Sequence, residues 1–177
     1  MTTSPHNDFY PEGKAVTCCH MCRGQQLRLV LDLGLQPHSD LFLTAKQLNE
    51  PLSLYPLRLV SCLDCGLLQI DFLVDPRILY QKEYLYESSI TETGRSHYNE
   101  MAKEIIEKFS VPKDSLVIDL GSNVGVLLEG FKNQGLKVLG VDPASLVAQK
   151  AIERGIETII DFFGIEVADT ILKTKGK

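Results

Sequence analysis

All five cysteines of this 177-residue chain fall within its first 65 residues, and four of them make two C-x-x-C pairs, Cys19-His20-Met21-Cys22 and Cys62-Leu63-Asp64-Cys65. Two residues between cysteines let a tight turn aim both sulfurs at one point, and two such pairs complete a tetrahedral set of thiolates. No other feature constrains the fold as much, because two distant segments must meet. The gap between the pairs exceeds the usual zinc-ribbon spacing, so the residues between them form a substantial excursion. Four thiolates leave no open position for water, and the metal is therefore read as a structural Zn2+ on Cys19, Cys22, Cys62 and Cys65. Cys18 is then spare, although a register shift to Cys18 or a ligand role for His20 stays open. The competing readings are small buried hydrophobes and redox pairs, the latter needing a separate explanation for each pair.

A net charge of −5 and a pI near 5.4 argue against a general affinity for nucleic acid or anionic membranes. No apolar run approaches the ~20 residues that span a bilayer. The opening stretch MTTSPHNDFYPEGK has neither a basic n-region nor an apolar h-region, so a cytoplasmic location is expected. In that compartment the cysteines are thiols rather than a disulfide framework.

Four segments follow from the pattern: a flexible tail over 1–14, a zinc-binding module over 15–75, a connector and helix over 76–113, and an α/β segment over 114–177. In the second, Leu27–Leu33 alternates as a strand, and Leu57–Ser61 with Leu67–Ile70 reads as a hairpin around Cys62 and Cys65. The connector carries a short helical turn between Asp75 and Tyr86. Thr93–Phe109 has a helical stripe of Tyr98, Met101, Ala102, Ile105, Ile106 and Phe109. Strands are predicted at Leu116–Leu120, Lys137–Val141 and Glu157–Ile160, with helices at Val124–Asn133 and Ala144–Arg154 between them. Strand and helix alternating through short turns argue for a parallel, doubly wound sheet.

The run Val117-Ile118-Asp119-Leu120-Gly121-Ser122-Asn123-Val124-Gly125 is a strand, a glycine turn and a helix start. Dinucleotide sites place a glycine where Asn123 stands, so that backbone can approach a pyrophosphate. A side chain there obstructs NAD but leaves room for the methionine part of S-adenosylmethionine, whose amino group Asp119 suits. Asp142 ends the second strand twenty-one positions after Gly121, where an acid binds the ribose hydroxyls of an adenosine cofactor. Phe162, in Asp161-Phe162-Phe163 just past the third strand, stands where an adenine ring lies in this topology. The bland alternatives are a tight turn at Gly121 and Gly125, a helix cap at Asp142 and core packing for the phenylalanines.

Taken in order, the C-x-x-C pair, LDLGLQPHSDLF, CLDCGLLQ, YLYESS, His97, VIDLGSNVG, GVDP and DFF resemble the N-terminal part of the zinc-containing S-adenosylmethionine-dependent C-methyltransferases. Some members of that family act on nucleotide-linked 4-keto-deoxysugars. The resemblance covers roughly residues 17–170. It implies zinc on the four paired cysteines and the cofactor around Gly121, Asn123, Gly125, Asp142 and Phe162. It also implies a Rossmann-like methyltransferase domain of which this chain holds the first half. Tyr84 or Tyr86 would touch sugar or cofactor, with a packed linker as the alternative; His97 would join the same site or face solvent on its helix. Two departures stand out. Val124 replaces an acid that the family usually has there, and the family's chain runs well past the length seen here.

The implied reaction removes a proton α to a ketone and passes the resulting enolate to the sulfonium methyl, with the main base expected beyond Lys177. A non-catalytic zinc- and cofactor-binding module is the rival class, and an oxidoreductase fragment is disfavoured by Asn123. A truncated sheet would run 3-2-1 with its first strand bare on one side. That apolar edge suggests self-association, and the sequence alone leads us to expect an inactive chain.

Overall fold

The computed structural model describes residues 12–81 and 84–176, so most of the expected tail, with Lys82, Glu83 and Lys177, lies outside the described residues. The chain divides after Leu79 into two compact units.

The first unit is antiparallel. Strand β1 (Gly13–Ala15) begins inside the stretch expected as tail and pairs with a strand at Phe72–Val74. Strand β2 (Leu27–Gln36) runs three residues past the expected end, through two irregularities that skip Val30 and the Leu33-Gly34 pair. Such bulges give the strand extra twist and blunt its open edge. After a single 3-10 turn at Gln47–Asn49, β3 (Tyr55–Cys62) returns along β2 and turns back into β4 (Leu68–Ile70), the expected hairpin. Strand β5 (Phe72–Val74) completes the pair with β1. The β2–β3 register places Leu27 opposite Cys62. That single pairing brings the two cysteine turns to the same end of the sheet and closes the long excursion between them.

Helix α1 (Pro76–Tyr80) spans the boundary between the units. In the second unit α2 (Glu92–Phe109) starts at Thr91, whose Oγ1 accepts from the Gly94 N–H at 3.0 Å as an N-cap. It ends at Ser110 in the left-handed conformation, φ 49°. Of its expected stripe, Ala102 is buried and Phe109 is exposed. Then come β6 (Leu116–Leu120), α3 (Val126–Asn133), β7 (Lys137–Val141), α4 (Ser145–Glu153), β8 (Thr158–Ile159) and α5 (Ile165–Lys175). The three strands are parallel in the order β6-β7-β8, as expected from the alternation.

Side chains from alternate strand positions sort to the two faces. Leu139, Val141, Leu116 and Ile159 pack with Val167 and Ile171 of α5. Val117 and Val138 pack on Leu128 of α3 with Ala151 and Ile156 around α4. Helices therefore cover both faces, the arrangement that a near-continuous apolar strand requires. The result is a mixed α/β chain with a cysteine cluster near its N-terminus and a parallel sheet segment after it. Among the described residues no helix is long and apolar enough to cross a membrane.

Candidate functional site

The four paired cysteines meet: their sulfurs all lie within 4.8 Å of one another. Both turns are built alike. Cys19 N–H donates to Gly24 O at 2.8 Å and Arg23 N–H to Cys19 O at 3.0 Å; Cys62 N–H donates to Leu67 O and Gly66 N–H to Cys62 O, each at 2.9 Å. The residue after each second cysteine, Arg23 or Gly66, is left-handed, with φ 63° and 79°. This duplicated geometry selects Cys19 over Cys18 as the first member of its pair. Gln69, buried on β4, clamps the first turn to the sheet by accepting from His20 N–H at 2.9 Å and donating to Cys18 O at 3.2 Å. Sequence reasoning quoted Gln69 only as part of a motif; its role depends on the strand register.

Sulfur separations of 3.6 Å for Cys19–Cys65 and for Cys22–Cys62 are far too long for disulfides. They are close to the edge of about 3.8 Å that four sulfurs ~2.3 Å from one zinc would have. The electrostatics agree. The Cys22 N–H brings the Cys19 thiol down to about 7, with help from Met21 N–H and against the effect of burial. Cys22 is pushed up to about 12: the Gly24 N–H favours its thiolate, but the sulfurs of Cys65 and Cys62 oppose a further charge beside them. Only a cation at their centre lets all four ionise together. The residues fit a closed, four-sulfur metal site.

In the other unit the turn after β6 is equally defined. Gly121 and Gly125 are left-handed, with φ 81° and 72°, for different reasons. A Cβ on Gly121 would meet nothing within 4 Å, so its backbone faces open space; one on Gly125 would meet Ile156 at 3.2 Å and Ala151 at 3.3 Å. Gly125 is thus a packing position beneath α3, and Gly121 is the one that a ligand could approach. Asp142, buried after β7, accepts from Asn123 N–H at 2.7 Å and Ala144 N–H at 2.8 Å, one bond to each oxygen. Each oxygen keeps acceptor capacity for a hydroxyl. Asp119, part-buried at the end of β6, has its pKa raised by burial and then by the charge of Asp142. A ligand ammonium would relieve both effects.

Known proteins resemble this chain. Residues 19–80 match a family described as "Putative zinc binding domain". C-methyltransferase NovU of Streptomyces niveus is 30% identical over 158 residues, 89% of this chain and 37% of that protein. The chain is a relative of a C-methyltransferase. It spans well under half of that relative's length, and the aligned stretch is long enough to reach beyond the cysteine module into the glycine turn.

Asn123 carries a side chain where a dinucleotide loop has none, and the structure gives that side chain a definite use. Its carboxamide bonds the segment before α2: Oδ1 accepts from Ser88 N–H at 3.0 Å, and Nδ2 donates to Tyr86 O at 2.8 Å. Tyr84 rests on Val124, Ala144 and Val147, and its ring meets Tyr86 edge-on at 6.4 Å. Tyr86 is exposed. Phe162 stands part-buried on the loop after β8, its N–H donated to Asp161 Oδ1 at 2.7 Å. The loops after β6, β7 and β8 all leave the same end of the parallel sheet, so Asp119, Gly121, Asp142 and Phe162 share that end. His97 is exposed on α2 beside the Tyr98 ring. Arg95, Lys150 and Arg154 were missed by sequence reasoning, which had Ser88 and Ser89 only as part of the YLYESS motif, and all five hold this segment in place.

Proposed function

We propose that this chain is the zinc-bearing, cofactor-binding part of an S-adenosylmethionine-dependent C-methyltransferase whose substrate is a nucleotide-linked keto-deoxysugar. The observation that carries the reading is the open backbone of Gly121 at the end of β6 and β7, near the interacting carboxylates of Asp119 and Asp142, where a doubly wound sheet has its ligand crevice. Asp142 would accept the ribose hydroxyls and Asp119 the ammonium of the methionine part. Phe162 would lie against the adenine. Tyr84 and Tyr86 border the same end and would orient cofactor or sugar, whereas His97, exposed on α2, is left without a role in this reading. When bound, the cofactor supplies an electrophilic methyl group; the protein must place it against an enolate formed by loss of a proton α to the ketone. The zinc of this reading is structural, and the five free cysteines suit a reducing compartment such as the cytoplasm.

The sheet is read as the first half of a doubly wound, Rossmann-like domain, with β6 as its first strand. Among the described residues β6 pairs on one side only, and Ile118 and Leu120 are exposed. In the 177-residue chain taken alone that edge is open to a second copy; a purified chain that is monomeric by light scattering across its soluble range would refute self-association through it.

Calorimetric titration tests the cofactor. S-adenosylhomocysteine should bind and NAD should not. Asp142→Ala should weaken binding by ~1.5–3 kcal/mol, the range for hydrogen bonds to a charged group. Preference for NAD would overturn the reading.

A further inference from the structure

The Tyr84–Ser89 segment is fastened across the second unit at five places. The Tyr84 ring lies on Val124, Ala144 and Val147. Glu87 pairs with Lys150 on α4. Ser89 accepts from Arg95 through its carbonyl and from Arg154 Nη1 through its hydroxyl at 3.3 Å. The fourth and fifth fastenings, at Tyr86 and Ser88, are both made by Asn123. Its Oδ1 takes Ser88 N–H at 3.0 Å, Ser88 Oγ at 3.3 Å and its own neighbour's Val124 N–H at 2.9 Å, while Nδ2 gives to Tyr86 O at 2.8 Å.

The same residue is tied to the crevice through its backbone, since Asn123 N–H donates to Asp142 Oδ2. It holds a left-handed φ of 53°, which asparagine tolerates better than most residues. Amide geometry explains the choice of side chain. Glycine would suit the turn but offer the segment nothing. Aspartate would leave Tyr86 O without a donor and bring a second negative charge next to Asp142.

We propose that Asn123 is a positioning residue, a clasp that holds Tyr84 and Tyr86 beside the crevice and links their order to occupancy of Asp142. The proposal rests on the cofactor reading given above and adds the coupling to it. A ligand hydroxyl on Asp142 fixes the carboxylate that orients the Asn123 backbone, and that backbone carries the carboxamide on which the segment hangs. Linkage makes the effect mutual: whatever factor ligand binding adds to the order of the segment, the ordered segment adds to ligand affinity.

Amide hydrogen exchange on the zinc-loaded full chain separates these claims, with S-adenosylhomocysteine as the probe. Asn123→Gly is the informative variant, because glycine keeps the left-handed turn while removing the clasp together with the local bond to Val124 N–H. Without ligand, exchange over residues 84–89 should rise at least tenfold in Asn123→Gly, with α3 and β7 unchanged. Adding S-adenosylhomocysteine should slow exchange over 84–89 in the wild type and leave it fast in the variant, whose affinity should fall three- to tenfold. Arg154→Ala, which removes a fastening away from the crevice, should loosen Ser89 yet retain ligand-dependent protection at Tyr86. Unchanged ligand-free exchange in Asn123→Gly would overturn the clasp, whatever the ligand does. Equal protection by ligand in both proteins would overturn the coupling. Failure of the wild type to bind the probe would instead overturn the cofactor reading, and the coupling with it, leaving the clasp to be decided by the ligand-free comparison.

Discussion

Replacing each of the two turn glycines by alanine should produce two different failures. Both positions are left-handed, so both variants incur the same backbone strain of about 1–2 kcal/mol. At Gly125 the new methyl also arrives 3.2 Å from Ile156 and 3.3 Å from Ala151. Ile156 is 1% exposed and Ala151 fully buried, so neither can swing aside. Overpacking of this kind costs about 1–3 kcal/mol. Because the strain cancels between the variants, their difference isolates packing. For a unit of this size 1 kcal/mol moves the melting temperature by ~4–8 °C, so Gly125→Ala should melt about 5–20 °C below Gly121→Ala. Differential scanning calorimetry of the zinc-loaded chain measures this directly, with the transition of the second unit followed. Ligand binding should sort them the other way. The Gly121 methyl points into open space, so that variant should lose at least tenfold in affinity for S-adenosylhomocysteine, about 1.4 kcal/mol or more. Gly125→Ala, titrated well below its melt, should bind nearly as the wild type does. Equal melting of the two variants would refute the packing argument, and unchanged affinity in Gly121→Ala would remove the ligand from that side of the turn.

Two further expectations follow. Elemental analysis should find one zinc per chain, and chelation should unfold the first unit, since structural zinc sites supply ~10–16 kcal/mol of apparent binding free energy; Cys62→Ser should be severe and Cys18→Ser mild, and a zinc-free chain with an unaltered near-UV spectrum would refute the site. Asp119, whose folded pKa is raised by burial and by Asp142, binds its proton more tightly folded than unfolded. Its contribution to stability is therefore full below the unfolded carboxylate value and is lost as pH rises through the folded one. Asp119→Asn should flatten that part of the stability profile and stabilise the unliganded chain at neutral pH while weakening S-adenosylhomocysteine binding. Parallel stability profiles for variant and wild type from acid to neutral pH would contradict the assignment.

Much of this molecule is local enough to read from residue order. The cysteine pairs, the β–α alternation after Leu116 and the glycine turn each depend on neighbours within a few positions, where spacing and backbone preference decide. The metal set could be written down because two identical turns announce themselves at short range. What needed the fold was every role set by partners far along the chain. Strand register, not spacing, brings Leu27 opposite Cys62 and makes Gln69 a clamp. The two glycines look interchangeable in sequence, and only Ile156 and Ala151 distinguish the packing position from the open one. Asn123 reads as an obstacle to a pyrophosphate; in the structure its amide faces Tyr86 and Ser88, more than thirty positions away. A polar side chain shows its chemistry in the sequence, but its partner is chosen by whichever unsatisfied groups packing buries beside it.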